Sequence, residues 1–300
     1  MVAALPPATP IAVMSFDRPD YLRQVLATLK AQIPALSDDR VYLFQDGSRV
    51  AGTPVTDDRL IERCIAEFKE FFPQSKIFAG TENLGVALNF NRAEQHFFSE
   101  CGAEAAMFFE DDLVLSPHYV ETLERLIQLA QSNERIAYVA AYGDHHAKLE
   151  AQRESAAKLV LMRHKWGFAL TRRQWLKQRP LMEPYLEIVS RKGYRQRDHQ
   201  EIFQYYRKLG FGSPGTSQDA MKDVASAVLG TTKIMTFACF GKNIGKTGLH
   251  SRPEFYDKEG FGQTELFPDR IAHFEPPSEA TLTNYVNAMR GAALHALAKA

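Results

Sequence analysis

The stretch Met107-Phe108-Phe109-Glu110-Asp111-Asp112-Leu113-Val114-Leu115-Ser116-Pro117 decides the fold of this 300-residue chain. It begins with apolar residues that have the length of a buried strand, and three carboxylates follow at the end of that strand. Ser116-Pro117 then opens a predicted helix over about residues 118–131, with proline near its first turn. In an α/β sheet, the carboxyl edge at which these acids would stand is where ligands bind.

The three adjacent acids Glu110, Asp111 and Asp112 repel one another, so this position needs a compensating cation or hydrogen-bond donors. Mn²⁺ and Mg²⁺ prefer a few carboxylates together with substrate oxygens, and an ion that carries phosphates would meet this need. The alternative is a solvated turn between strand and helix, where the helix N-terminus favours acidic residues. The stretch alone leaves both interpretations open.

The composition is that of an ordinary globular protein, with 45% apolar and 24% charged residues. Because 36 Lys and Arg balance 36 Asp and Glu, no overall field attracts nucleic acid, and we expect no nucleic-acid partner. The cysteines Cys64, Cys101 and Cys239 lack the spacing of a zinc site or a disulfide frame. No apolar run reaches the roughly 18 residues of a membrane span, and residues 1–10 lack a signal-peptide pattern. We therefore expect a soluble, cytoplasmic protein.

Strands and helices alternate along the first half of the chain. The predicted strands are residues 11–15, 41–44, 76–79 and 137–141, and the predicted helices are 21–30, 60–72 and 86–101. This alternation predicts an α/β fold with a mostly parallel sheet and helices on both faces.

The second half has weaker patterns. Short strands are predicted at 158–162, 166–170 and 234–237, helices from 172 to 178 and over 198–209 and 219–229, a mobile loop at 143–157, and a Gly/Lys-rich loop at 241–248. A last helix runs from 278 to 299, so we divide the chain into residues 1–275 and a C-terminal helix over 276–300. Its apolar stripe favours docking on its own domain over a partner domain or a membrane surface.

Polar residues follow successive predicted strands at Arg18, Asp46, Asn83 and Asp112. A carboxylate such as Asp46 only accepts hydrogen bonds, and it could accept one from the imide N–H of uracil. Asn83 and Gly85 precede a helix, whose free N–H groups favour an anion. Taken singly, these residues are equally typical of a turn, a helix cap and a surface arginine. Their convergence on one sheet edge predicts a nucleotide site.

Three further motifs have an alternative, structural interpretation. His145-His146 suggests a metal pair, but adjacent side chains point apart, and we expect surface histidines. Gly245-Lys246-Thr247 ends like a Walker A loop, but Phe240 stands where that motif requires glycine, so a P-loop is excluded. Lys246 could still cover a diphosphate. Trp166 is predicted in the core or beside an acceptor pocket.

The ordered set of motifs resembles that of GT-A nucleotide-sugar glycosyltransferases, which implies the GT-A (Rossmann-like) form of this α/β fold. The likeness is to inverting, family-2-like enzymes, and it is strongest to the N-acetylglucosaminyltransferase I family. It covers most of residues 9–256 through Asp17-Arg18-Pro19, Gln45-Asp46-Gly47-Ser48, Glu82-Asn83-Leu84-Gly85, Glu110-Asp111-Asp112, Trp166-Gly167-Phe168-Ala169, Gln218-Asp219, Met235-Thr236-Phe237 and the basic loop before His250.

The resemblance implies a role for each matching residue. It implies that Arg18 and Asp46 hold the nucleotide base and its surroundings, and that Asp111 lies near the ribose or the sugar. It implies that Asp112 binds the Mn²⁺ or Mg²⁺ that bridges the diphosphate, with His250 as a further ligand. The remaining donor-binding candidates are Asn83, Gly85 and Lys246.

The same resemblance matches Asp219 to the catalytic base. Inversion needs a carboxylate that takes a proton from the acceptor hydroxyl while a cation stabilises the leaving nucleoside diphosphate. Asp223 lies four residues further along the same predicted helix and is the competing candidate.

The implied reaction moves N-acetylglucosamine or a similar hexose from a UDP-sugar to a glycan or a lipid-linked acceptor. Because this sequence shows no membrane anchor or stem, we expect polysaccharide assembly on the cytoplasmic side of a bacterial membrane. One alternative is a GT-A-shaped module that binds a glycan or nucleotide without turnover. Another is a nucleotidyltransferase, although residues 11–18 lack the Gly-rich basic loop of that class.

Overall fold

The computed structural model describes residues 9–248 and 252–299 and shows strands and helices arranged around one large sheet. The strands within these residues are β1 Ile11–Ser15, β2 Val41–Gln45, β3 Arg49–Val50, β4 Thr53–Pro54, β5 Lys76–Ala79, β6 Ala105–Glu110, β7 Leu113–Leu115, β8 Ile136–Ala140, β9 Leu159–Leu161, β10 Gly167–Thr171, β11 Thr232–Thr236 and β12 Gly241–Asn243. The helices are α1 Pro19–Lys30, α2 Asp58–Phe71, α3 Gly85–Gln95, α4 Tyr119–Ser132, α5 Leu149–Glu154, α6 Arg172–Lys192, α7 His199–Lys208, α8 Gln218–Leu229, α9 Pro253–Glu259 and α10 Glu279–Lys299.

The large sheet has the strand order β5-β2-β1-β6-β10-β8-β11-β9. The first four strands in this order are all parallel, and β8 pairs with β11 in parallel. The pairings of β10 with β6 and β8, and of β9 with β11, are antiparallel. This architecture confirms the predicted α/β fold with a mostly parallel sheet and helices on both faces. The carboxyl ends of β5, β2, β1 and β6 therefore meet at one edge.

Continuous apolar runs form the centre of the sheet because both of its faces are covered. Every residue of β1 and β8 is buried, as are the first five residues of β6. Phe108 of β6 lies at the centre of an aromatic cluster, with its ring centroid 5.3 Å from that of Phe168 and 6.1 Å from that of Phe90. This packing fixes β6, and with it the acidic residues at its end.

Two predicted loops contain regular structure. Residues 143–157, predicted as a patternless mobile loop, include α5, and residues 241–248 include β12, which pairs with β7. The buried Gln152 holds α5 in place, because its Nε2 donates to the carbonyls of Ala147 and Glu265 while its Oε1 accepts from the N–H of Cys239. Tertiary hydrogen bonds of this kind leave no periodic pattern in the sequence.

Helix boundaries also differ from the predictions. The predicted helix 86–101 ends as an α-helix at Gln95 and continues as a π-helical turn, and α6 runs through Pro180 and Pro184 to Lys192. Because proline weakens a helix interior, the sequence pattern did not show this length.

The C-terminal helix α10 packs on the rest of the chain. Leu282, Val286, Met289 and Ala293 are buried, and the helix contacts α8 and β11. This is the self-docking that the sequence favoured, whereas the division at residue 275 and an additional partner or membrane contact stay predictions. Among the residues that the structure describes, no helix combines the length and apolar character needed to cross a bilayer.

The aromatic cluster around β6 generates a stability prediction. Replacing the fully buried Phe108 with alanine leaves a cavity at the centre of the sheet, so Phe108→Ala should lower the free energy of unfolding by about 3–5 kcal/mol. Leu176 is 47% exposed, and Leu176→Ala should change it by less than about 0.5 kcal/mol. Urea unfolding curves of both variants measure the difference, and equal losses would contradict this account of the core.

Candidate active site

A cavity of about 400 Å³ opens at the carboxyl ends of β5, β2, β1 and β6. Six of the predicted site residues line it, each from the loop that follows one of these strands or from the helix start beyond it. They are Arg18, Asp46, Asn83, Gly85, Asp111 and Asp112. The parallel strand order explains why residues almost a hundred positions apart meet here.

The acidic end of β6 is balanced by Arg18. The guanidinium of Arg18 forms an ion pair with Asp111 and another with Asp112, the latter with 2.8 Å between Nη1 and Oδ2. Burial opposes the charge of Arg18, but the two carboxylates outweigh it and raise the pKa of Arg18. Arg18 therefore supplies one compensating cation that the acidic stretch requires.

Glu110 and Asp111 lie in surroundings that disfavour their negative charge. Desolvation raises the pKa of Glu110 well above its usual range, and the charges of Asp112 and Asp219 raise it further. Desolvation also raises the pKa of Asp111, and the neighbouring Arg18 opposes that shift. An additional cation at this position would therefore be stabilised.

Asp112 retains one oxygen that fits a metal ion. Its Oδ2 contacts Arg18, whereas its buried Oδ1 has no hydrogen-bond partner among the described residues. The loop after β12 packs against this carboxylate: Ile244 donates its N–H to the carbonyl of Asp112, and a Cβ on Gly245 would lie 2.2 Å from Oδ2. An unpaired buried carboxylate oxygen is costly, and a hard cation would satisfy it.

The described residues do not by themselves complete a metal site. Residues 9–248 and 252–299 contain no group of three or more His, Cys, Asp or Glu side chains that could hold a metal ion. His250, the second predicted ligand, lies outside the described residues. A metal at Asp112 would thus take most of its remaining ligands from substrate oxygens or water.

Asp46 caps the start of α3 from within the protein. One of its carboxylate oxygens accepts from the N–H groups of Gly47 and Leu84, and the other from the N–H of Gly85 and the side chain of Asn83. Desolvation raises the pKa of Asp46, and these backbone hydrogen bonds oppose the shift. The four acceptor positions of this carboxylate are taken. Its predicted contact with a base stays a prediction.

Gly85 allows a second segment to close over the start of α3. Its φ is +72°, and a Cβ there would lie 2.3 Å from the Cβ of Tyr194. Tyr194 is buried, and Arg197 stacks on its ring at 4.2 Å and donates to its carbonyl. The turn Tyr194–Gln196 is thereby fixed beside the cavity, where it contributes Tyr194 and Arg195 to the lining.

Lys246 does not line the cavity. Its ammonium lies 2.9 Å from a carboxylate oxygen of Asp257 in α9, where both side chains are largely exposed. A surface pair of this kind is weak, so Lys246 can exchange this partner for another anion.

The two candidate bases on α8 differ in their surroundings. Asp219 lies half-buried in the first turn, where Ser217 caps the helix. It is not one of the residues that line the cavity, but its negative charge contributes to the raised pKa of Glu110. Asp223 accepts from Lys165 at 2.6 Å and from Lys233 at 2.8 Å. Burial alone would raise the pKa of Asp223, but the two ammonium groups outweigh burial and lower it. Asp223 is thus a weak proton acceptor.

An aromatic wall, which the sequence did not predict as a unit, lines part of the cavity. It consists of His164, Trp166, Phe255 and Phe261. The rings of His164 and Trp166 stack with centroids 4.2 Å apart, and Phe261 meets Trp166 edge-on. These residues come from two segments far apart in sequence, so only the possible acceptor-pocket role of Trp166 was signalled.

The pair His145-His146 is partly buried, contrary to the prediction of two surface histidines. His145 is buried, and its Nε2 lies 3.2 Å from the carbonyl of Glu259, whereas His146 is exposed. His145 thus packs against the end of α9 and against Phe261 just beyond it, and the polar sequence around His145 gives no sign of these contacts.

A comparison with protein families identifies the family of this chain. The family model described as "Glycosyl transferase family 2" matches residues 11–201, which contain β1, β2, β5, β6 and the acidic stretch. The chain belongs to glycosyl transferase family 2.

Two solved structures are similar to part of the chain. One is a CMP:2-keto-3-deoxy-manno-octonic acid synthetase complexed with CTP, at 9% identity and a TM-score of 0.34 over 58% of this chain and 78% of that one. The other is a cytidylyltransferase from Leptospira borgpetersenii, at 12% identity and a TM-score of 0.34 over 58% of this chain and 64% of that one. The latter match thus spans less than two thirds of the cytidylyltransferase. No curated protein matches the chain.

The aromatic wall generates a pH prediction. Burial, with smaller contributions from His145, Lys233 and other neighbouring charges, lowers the pKa of His164 to about 3. The unfolded chain takes up this proton below about pH 6.5 and the folded protein does not, so stability is lost as the pH falls from about 6.5 towards 3. His164→Phe keeps an aromatic ring and removes this loss, which amounts to about 2 kcal/mol at pH 5. Urea unfolding of the wild type and of His164→Phe at pH 7 and pH 5 measures this loss of unfolding free energy. An equal loss in wild type and variant would show that His164 does not titrate in this way.

Proposed function

We propose that this family 2 member is an inverting glycosyltransferase that uses a UDP-sugar. The observation that carries the proposal is the single cavity in which Arg18, Asp46, Gly85 and the acidic end of β6 meet, at the sheet edge where nucleotides bind in α/β folds. The donor sugar is N-acetylglucosamine or a similar hexose, as the resemblance to the N-acetylglucosaminyltransferase I family suggests.

The donor site combines an acidic cation site with a preformed loop. The unpartnered Oδ1 of Asp112 supports Mn²⁺ or Mg²⁺ as the cofactor, with His250 as a further ligand. Such an ion, when bound, supplies positive charge for the leaving diphosphate. Arg18 keeps the neighbouring carboxylates in place, and Asn83 and Gly85 hold the loop at the start of α3. Asp111 lies towards the ribose or sugar, and Lys246 exchanges its contact with Asp257 for the diphosphate of the donor.

In the transfer step, Asp219 is the base that accepts the proton of the acceptor hydroxyl. The acceptor hydroxyl oxygen forms a bond to the anomeric carbon, and the bond from that carbon to the diphosphate oxygen breaks with its electrons on the leaving group. Asp219 takes the hydroxyl proton. Two features support Asp219 over Asp223: it lies near the acidic end of β6, and Lys165 and Lys233 neutralise Asp223.

The acceptor is a glycan or a lipid-linked glycan hydroxyl. The aromatic wall of His164, Trp166, Phe255 and Phe261 supports a sugar acceptor, because aromatic faces pack against the apolar faces of sugar rings. We place the reaction in bacterial polysaccharide assembly, in the cytoplasm or at the inner face of the membrane.

A thermal-shift experiment tests the donor site. UDP at 100 times its Kd should stabilise the wild-type protein by about 2.7 kcal/mol in the presence of Mn²⁺. Asp112→Ala should lose the Mn²⁺-dependent part of this stabilisation. Stabilisation by another nucleotide would change the donor, and a protein that responds to no nucleotide would instead be a non-catalytic glycan-binding module.

A second experiment tests the proton acceptor. Asp219→Asn should lower kcat by about 10²–10⁴-fold, since general-base catalysis contributes that factor, and should leave UDP binding unchanged. Asp39→Asn, which changes an exposed aspartate outside the cavity, is the matched control and should retain full activity. Transfer assays with the UDP-sugar measure both. Full activity of Asp219→Asn together with loss of activity in a folded Asp223→Asn would move the role to Asp223.

A further inference from the structure

The charges around the cavity do not suit an anionic substrate. Five carboxylates line it against two guanidinium groups: the acids are Asp17, Asp46, Glu110, Asp111 and Asp112, and the bases are Arg18 and Arg195. A nucleoside diphosphate adds further negative charge. Binding it therefore requires positive charge with donor groups that are not already used by the protein.

Most nearby positive groups are already committed. Arg18 directs Nε and Nη2 to Asp111 and Nη1 to Asp112 and the carbonyl of Thr247. The positive end of α3 is also occupied, because the Asp46 carboxylate accepts from the N–H groups of Leu84 and Gly85. The helix start that usually receives a phosphate thus already holds an anion of the protein.

Arg195 differs from these groups. It lines the cavity, and it has no hydrogen bond, ion pair or ring contact with residues 9–248 or 252–299. An arginine carries five N–H donors in a planar fork that matches phosphate oxygens. Its unused donors are therefore available to a ligand.

The backbone around Arg195 is held firmly although its side chain is exposed. Tyr194 is buried against Gly85, and Arg197 on the other side stacks on Tyr194 and donates to the carbonyls of Tyr194 and Thr216. The contacts of Tyr194 and Arg197 thus fix the backbone on both sides of Arg195, which lines the cavity. Such a preformed position lowers the entropy cost of binding.

We propose that Arg195 binds a phosphate group of the substrate in this cavity. The inference rests on the proposed function and extends it to Arg195, which is not part of any motif quoted for the family resemblance. The phosphate belongs either to the diphosphate of the donor or to a phosphorylated, lipid-linked acceptor, and both present the same oxygens to the guanidinium.

Calorimetric titrations with uridine, UMP and UDP in the presence of Mn²⁺ test the donor. Arg195→Gln removes the charge and keeps a polar side chain, and Arg195→Lys keeps the charge without the fork. Lys192→Gln is the matched control, since it removes one exposed positive charge three residues away and outside the cavity lining. If the phosphate is the donor's, Arg195→Gln should weaken UDP binding about tenfold, Arg195→Lys should restore part of it, and uridine binding and Lys192→Gln should show no change.

Transfer assays with a polyprenyl phosphate acceptor distinguish the other source. If the phosphate is the acceptor's, Arg195→Gln should leave UDP binding unchanged and raise the KM for this acceptor about tenfold, with kcat retained. Wild-type binding of UDP, with neither its affinity nor the acceptor KM altered by Arg195→Gln, would overturn this inference alone. A wild-type protein that binds no uridine nucleotide would contradict the proposed function and this inference together.

Discussion

The balance of charge at the end of β6 is the constraint on which the site depends. Three consecutive acids stand at the end of a buried strand, where desolvation disfavours the charges of Glu110 and Asp111. Arg18, from the loop after the neighbouring parallel strand, forms ion pairs with Asp111 and Asp112. One oxygen of Asp112 stays buried without a partner among the described residues. The arginine therefore allows the acids to exist in the folded protein and leaves capacity for one further cation.

A second feature of the site is that the carboxylate of Asp46 occupies the N-terminus of α3. The start of α3 is a helix N-terminus at the sheet edge, which in many α/β proteins receives a substrate phosphate. Here the Asp46 carboxylate accepts its N–H groups, so hydrogen bonds within the protein hold the loop that carries Asn83 and Gly85. Under the proposed function, phosphate binding would then depend on Arg195 and on a cation at Asp112.

A buried polar cluster of Lys165, Lys233 and Asp223 gives the two aspartates of α8 different surroundings, although the two are equivalent candidates in the sequence. Lys165 and Lys233 hold Asp223, and Lys165 also donates to the carbonyl of Asp219, at 3.2 Å. The cluster ties the first turn of α8 to the sheet, while burial and the neighbouring Lys165 lower the pKa of Lys233 to about 8. Asp223 thus accepts hydrogen bonds from the buried lysines, whereas the carboxylate of Asp219 accepts none from them, and its charge acts on Glu110.

The sequence by itself determined the strand and helix alternation, the position of the acidic residues at a strand end, and the residues Arg18, Asp46 and Asn83 that follow the neighbouring strands. These features are local, because apolar runs and turn residues specify them within a few positions. Only the tertiary structure decided the partners: Asp46 caps a helix, α5 is held by Gln152, and Arg195 reaches the cavity. Such partners lie far apart in the chain, and their side-chain contacts leave no periodic signal in the sequence.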